Sequence, residues 1–183
     1  KIDMIDKKES KIILFSGSKG GCGCSFMTYC VSTYLARETT ENILLLDLNI
    51  GKKDSRMVFN LQDENHRDLG DAEEVINELD ISILKRLVIN FENSLNLILP
   101  PLKIEKGKIM RKDFLEKLLN ILKNHFNIIC IDFPGYLFSQ DKLCLKEFVN
   151  KFVFISLPDI VSVNNLNILT GNIIYDELYY DFD

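Results

Sequence analysis

The chain has 183 residues, 46% of them hydrophobic, so it can bury one sizeable core as a single α/β domain. Its formal net charge is −5 and no basic stripe stands out, which argues against direct nucleic-acid binding. No apolar run approaches the roughly 18–20 residues needed to cross a bilayer.

Residues 1–10 are polar, lack a signal-peptide apolar region, and read as a tether or linker. Lys11 to Ser16 is a short unbroken apolar run, the pattern of a strand buried on both faces. A glycine-rich loop follows at once. After it, Met27, Cys30, Val31, Tyr34 and Leu35 make one helical face. Asn42 to Leu48 is a second buried-type strand, carrying Asp47 near its end. Residues 53–61 read as a short helical piece. Residues 63–93 are mixed and polar, with helices expected near 71–79 and 82–91. Leu95 to Leu99 is a third strand, closed by Pro100 and Pro101. Phe114, Leu115, Leu118, Leu119 and Leu122 form a clear helical face. Asn127 to Asp132 is a fourth strand, followed by Phe133-Pro134-Gly135. Residues 139–150 read as a helix, Phe152 to Leu157 as a fifth strand, and a last helix runs from about Asp159 to Asn172. The closing stretch, Tyr175 to Asp183, mixes aromatics with acids.

Strands alternating with helices predict a three-layer, doubly wound α/β fold with a mostly parallel sheet. In such sheets ligands bind beyond the carboxyl ends of the strands. The glycine loop, Asp47 and Asp132 all fall at those ends. A loop of small residues entering a helix can wrap a phosphate with backbone N–H groups, and the helix N-terminus adds partial positive charge. Ser25, just after the loop, has the hydroxyl to ligate Mg²⁺, with Asp132 reaching the ion through water. The strict pattern G-x-x-x-x-G-K-[ST] fails twice: Ser18 replaces the first glycine and Cys24 the lysine.

The five cysteines, Cys22, Cys24, Cys30, Cys130 and Cys144, form no C-x-x-C pair. They suggest a reduced, cytoplasmic protein in which most cysteines are small core residues. Cys22 and Cys24 make a poor zinc pair with no histidine nearby. His66 and His125 are isolated and read as structural.

The motif Lys19-Gly20-Gly21-Cys22-Gly23-Cys24-Ser25-Phe26 resembles the loop of the deviant Walker A ATPases, the ParA/MinD group, which reads K-G-G-x-G-K-[ST]-[ST]. The signature lysine is kept as Lys19 and the ordinary loop lysine is lost at Cys24. Leu44-Leu45-Leu46-Asp47-Leu48-Asn49 resembles that group's apolar strand ending D-x-D. Ile128 to Gly135 resembles its strand ending D-x-P-P-G. The resemblance covers about residues 11–170, and 11–183 is expected to be one nucleotide-binding domain. Within the group the chain looks most like the TadZ/CpaE branch, which helps place tad pilus or type IV secretion assemblies. The atypical loop, Asp47 to Gly51, Leu97 to Pro101 and Ser156 to Asp159 carry that likeness.

The resemblance implies a P-loop NTPase fold of the SIMIBI type, ATP or ADP with Mg²⁺ as ligands, and a homodimer. Residues 18–26, that is Ser18, Lys19, Gly20, Gly21, Cys22, Gly23, Cys24, Ser25 and Phe26, would form the nucleotide site. Ser25 and Asp132 would serve the metal, and Lys19 and Asp47 would be catalytic, Lys19 by reaching the partner's nucleotide. It also implies protein partners in a pilus, secretion or localisation system, and recruitment to a cell pole or the inner membrane through them. The acidic tail is unlike the basic membrane-targeting helix of MinD. Relatives continue past the last helix with further strands, so the chain is expected to be a piece or to build that edge differently. Cys24 and Asn49 remove a focused charge and a carboxylate, so hydrolysis is expected to be weak or absent. A nucleotide-free scaffold and an active partitioning ATPase are the alternatives.

Overall fold

A computed structural model describes residues 9–50, 52–61, 66–102, 111–135 and 145–178. The strands are β1 (Lys11–Gly17), β2 (Ile43–Asp47), β3 (Ile89–Asn90), β4 (Leu95–Ile98), β5 (Ile128–Phe133) and β6 (Lys151–Ile155). The helices are α1 (Cys24–Glu38), α2 (Asp54–Val58), α3 (Leu69–Glu73), α4 (Ile81–Leu87), α5 (Lys112–Leu122) and α6 (Ile160–Leu178). They form one six-stranded sheet in the order β3-β4-β2-β5-β1-β6. All pairings are parallel except β3 with β4. The five expected strands and the mostly parallel sheet are therefore present.

The unbroken apolar runs follow from burial on both faces. Along β2, Leu44 and Leu46 pack into one core with Leu14, Ile129, Ile131 and the α5 face. Ile43 and Leu45 point the other way, into a second core with Tyr29, Phe59, Leu95 and Leu97. Helices thus cover both sides of the sheet, giving three layers. The predicted α5 face is fully buried, from Phe114 to Leu122.

Several boundaries differ from expectation. The helix expected over 82–91 stops at Leu87, and Ile89–Asn90 pairs antiparallel with β4. The piece expected near 71–79 splits into α3 and a single 3₁₀ turn at Ile76–Glu78. The first half of the helix expected over 139–150 lies outside the described residues, and so do 1–8 and 179–183. The last helix runs on to Leu178.

The clearest correction concerns α1. Its expected apolar face is largely outward: Met27 and Tyr34 are 42% and 63% exposed, and Cys30 is exposed too. Thr28, Tyr29, Ser32 and Ala36 face the sheet instead. Small side chains allow the helix to approach closely. Their hydroxyls are satisfied within the helix, Thr28 Oγ1 donating to the Cys24 carbonyl at 2.9 Å and Ser32 Oγ to the Thr28 carbonyl at 2.7 Å. Periodicity alone ranks these residues as polar and so picks the wrong face. Cys130, by contrast, is fully buried in β5 as expected.

Leu118 on α5 is completely buried against the sheet. Leu118→Ala is expected to cost about 2–5 kcal/mol, read as a lowered urea midpoint with little change in slope.

Candidate functional site

β1 ends at Gly17 and α1 begins at Cys24. The intervening turn is set by two left-handed glycines, Gly21 at φ 79° and Gly23 at φ 89°. A Cβ built on Gly20, Gly21 or Gly23 would meet nothing within 4 Å, so the inner face of the loop is open. Gly17 and Gly135 are glycines for the opposite reason. A Cβ on Gly17 would lie 2.5 Å from Cys22 Sγ, and one on Gly135 would lie 2.6 Å from the Gly17 carbonyl oxygen. The turn after β5 therefore rests directly against the loop.

The loop borders a cavity of about 540 Å³. Every predicted loop residue from Ser18 to Phe26 lines it, and so do Asn49, Lys52, Asp132 and Asn165. Asp47 is placed differently. It is 2% exposed and lies behind Asn49. Parallel pairing of β2 with β5 sets Asp47 beside Asp132. The Asn49 amide joins the two carboxylates, donating to Asp47 Oδ1 at 3.0 Å and to Asp132 Oδ2 at 2.7 Å. Asp47 also accepts from the Asn49 backbone N–H at 2.9 Å and from the Tyr29 hydroxyl at 3.1 Å.

Burial raises both carboxyls. Asp132 is pushed up to about 7, first by desolvation and then by the Asp47 charge. Asp47 is raised as well, again by burial. The Cys24 thiol sits 3.7 Å from Asp132 Oδ1. Burial, then Asp132 and Cys22, lift it to about 12. Cys24 is thus a neutral thiol near pH 7, and neither attracts nor repels phosphate as an ion.

Lys19 has a partner that sequence reading missed. Its ammonium donates to Asp159 Oδ2 at 2.7 Å. Asp159 caps α6, accepting from the Ser162 N–H at 3.0 Å and the Ser162 hydroxyl at 2.8 Å. The Lys19 bond and this cap hold the Asp159 carboxyl well below its ordinary range. Three residues beyond Ser162, Asn165 Nδ2 donates to the Ser18 carbonyl at 2.9 Å. The aspartate before the last helix was visible in the sequence. Its meeting with residue 19 needed β6 to pair with β1, which places the start of α6 beside the loop.

The residues fit a nucleotide phosphate with its magnesium ion. The first turn of α1 has no side-chain cap and no acid, leaving its N–H groups for an anion. Among the described residues the Ser18 hydroxyl is buried without a partner. Ser25 and Asp132 offer the hard oxygen donors that magnesium takes. Among the described residues no cluster of three or more His, Cys, Asp or Glu could hold a metal. No described helix is long and apolar enough to cross a membrane.

No family model matches the chain, and no curated protein matches it in sequence. Solved structures do match its fold. A ParA family ATPase from Chlorobium tepidum shares 23% identity at a TM-score of 0.75, over 90% of this chain and 67% of that one. The septum site-determining protein MinD from Pyrococcus horikoshii, complexed with Mg-ADP, shares 18% at 0.72, over 92% and 66%. The kinase domain of the Escherichia coli tyrosine kinase ETK shares 14% at 0.73, over 93% and 64%. The chain spans about two thirds of the length of each. At these identities the likeness shows the fold: the mostly parallel α/β fold of the P-loop NTPases, which carries ParA and MinD ATPases and a tyrosine kinase alike.

Two outcomes follow from this geometry. A carboxyl that holds its proton more tightly folded than unfolded stabilises the fold fully below about pH 4 and loses that contribution as pH rises through its folded value. Cation-free protein should therefore lose stability between about pH 4 and about pH 7, and Asp132→Asn should flatten that slope in urea titrations. Gly135→Ala must push the Gly17 carbonyl aside and is expected to cost about 1–3 kcal/mol, read by thermal unfolding.

Proposed function

We propose that this chain is an ATP-binding, dimerising localisation or assembly factor of the ParA/MinD type, with weak or absent ATP hydrolysis. Its finer place in this reading is the TadZ/CpaE branch, serving tad or type IV pilus or secretion machinery. One observation supports the reading most: an open glycine loop, Ser25 and Asp132 meet at one cavity whose loop has Cys24 in place of a lysine. The branch rests on the atypical loop and on the stretches around Asp47, Pro100 and Asp159. The MinD structure of like fold is complexed with Mg-ADP, which supports that ligand class.

The loop N–H groups and the start of α1 would bind the phosphates, and Ser25 and Asp132 would hold magnesium, which when bound neutralises phosphate charge. Asp47 acts as a positioning residue, fixing Asn49 and through it Asp132. Lys19 is the candidate to reach a partner's nucleotide, and must first leave Asp159. A neutral thiol at position 24 cannot stabilise charge that builds on a transferring phosphoryl group. Loss of one such focused charge costs about 2.7–4 kcal/mol of transition-state stabilisation, a factor of about 10²–10³ in rate. Asn49 donates hydrogen bonds but is a poor base. Function would then lie in the nucleotide-bound shape and its partners, with the protein in the cytoplasm and drawn to a cell pole or the inner membrane through them.

Titrating ATP with Mg²⁺ while following turnover and molecular mass tests this. Saturable binding, dimerisation with nucleotide and turnover well below that of partitioning ATPases are expected. Failure to bind nucleotide would favour a pure scaffold, and ordinary partitioning-type turnover would sink the weak-hydrolysis part.

A further inference from the structure

A nucleoside triphosphate brings several negative charges into the cavity, and charge-assisted contacts hold such groups far better than neutral ones. Cys24 supplies no charge. Among the described residues two cationic side chains line the cavity, Lys19 and Lys52, against the acids Asp54 and Asp132. Lys19 is already engaged by Asp159 at 2.7 Å, and the α6 cap holds that carboxylate in place. Lys52 is not so engaged. It stands between β2 and α2, exposed, and among the described residues its ammonium makes no hydrogen bond or ion pair. Its backbone N–H donates to the Asn49 carbonyl at 3.2 Å, which ties it to the residue joining Asp47 and Asp132. Its charge already reaches Asp132 and helps to lower that carboxyl.

We propose that Lys52 supplies the phosphate-binding charge that the loop lacks at position 24. The charge would come from the segment after β2, at the border of the same cavity, and not from the loop. This rests on the nucleotide-binding reading above. It assigns Lys52 as a binding residue for the polyphosphate of a nucleotide, in a site whose other cation is held within the chain. The competing account is a lysine that is merely solvated, as most exposed lysines are.

Calorimetric titration of the full chain with MgATP separates the two accounts, using wild type, K52A, K52R, C24K and C24K/K52A. K52A is expected to weaken binding about tenfold or more, since one hydrogen-bonded charge is lost. K52R should restore most of it. In the C24K background a loop lysine takes over the charge, so the K52A loss should shrink by at least about half, a coupling that distant, independent sites do not show. Equal affinity of K52A and wild type would overturn the role of Lys52 and leave the nucleotide reading standing. Absence of MgATP binding to the wild type would overturn both. Lys52 is exposed, so K52A should keep the unfolding midpoint of the wild type. The K52A and K52R pair decides the matter even where C24K fails to fold.

Discussion

The parallel register of β5 between β1 and β2 is the constraint on which the site depends. It pairs Asp132 with Phe15 on one side and with Asp47 on the other. That alignment brings two acids together at the carboxyl edge of the sheet, beside the exit of β1 into the glycine loop. Two carboxylates so placed and buried cannot both be left charged and unpartnered. The Asn49 amide, the Tyr29 hydroxyl and the Cys24 thiol are the groups the chain sets against them. Nearly every polar detail of the cavity floor follows from that one alignment.

The charge in the loop's own cavity is unusual for the same reason. With a cysteine at position 24, no cation reaches Asp132 from α1. Among the described residues, the two lysines that line the cavity come from elsewhere, one on the loop and one after β2. The first is held by the cap of α6, so α6 is joined to the loop through Lys19 and again through the Ser18 carbonyl. A helix that follows the edge strand in the chain thereby becomes part of the cavity wall.

Much of this was legible in the sequence, and the misses have physical causes. Unbroken apolar runs identified β1, β2, β4, β5 and β6, because strands covered on both faces need no alternation. The loop was legible because glycine density before a helix has few other uses. The inward face of α1 was misread, since close packing there favours Thr28, Ser32 and Ala36 over the bulkier Met27 and Tyr34. The short β3 was missed because two residues carry no periodicity. Residues 18–26 and Asp132 meet at one cavity as expected, but Asp47 lies behind it, because Tyr29 and Asn49 cover its carboxylate. Lys52, Asp159 and Asn165 were not singled out for the site at all. Each looks like an ordinary surface or capping residue until strand order brings it to the loop.

The Asn49 clamp has a consequence for how the chain reaches its folded form. Its amide nitrogen spends its two hydrogens on the two neighbouring acids. An aspartate there would add a third negative group and offer no donor. Such an acidic floor would depend on a counter-ion to assemble, as sites with clustered carboxylates do. With an amide at its centre the floor gains two hydrogen bonds and no further negative charge. The amide thereby eases the repulsion between the two acids without removing it, and a bound cation would relieve the remainder and add to the stability of the fold.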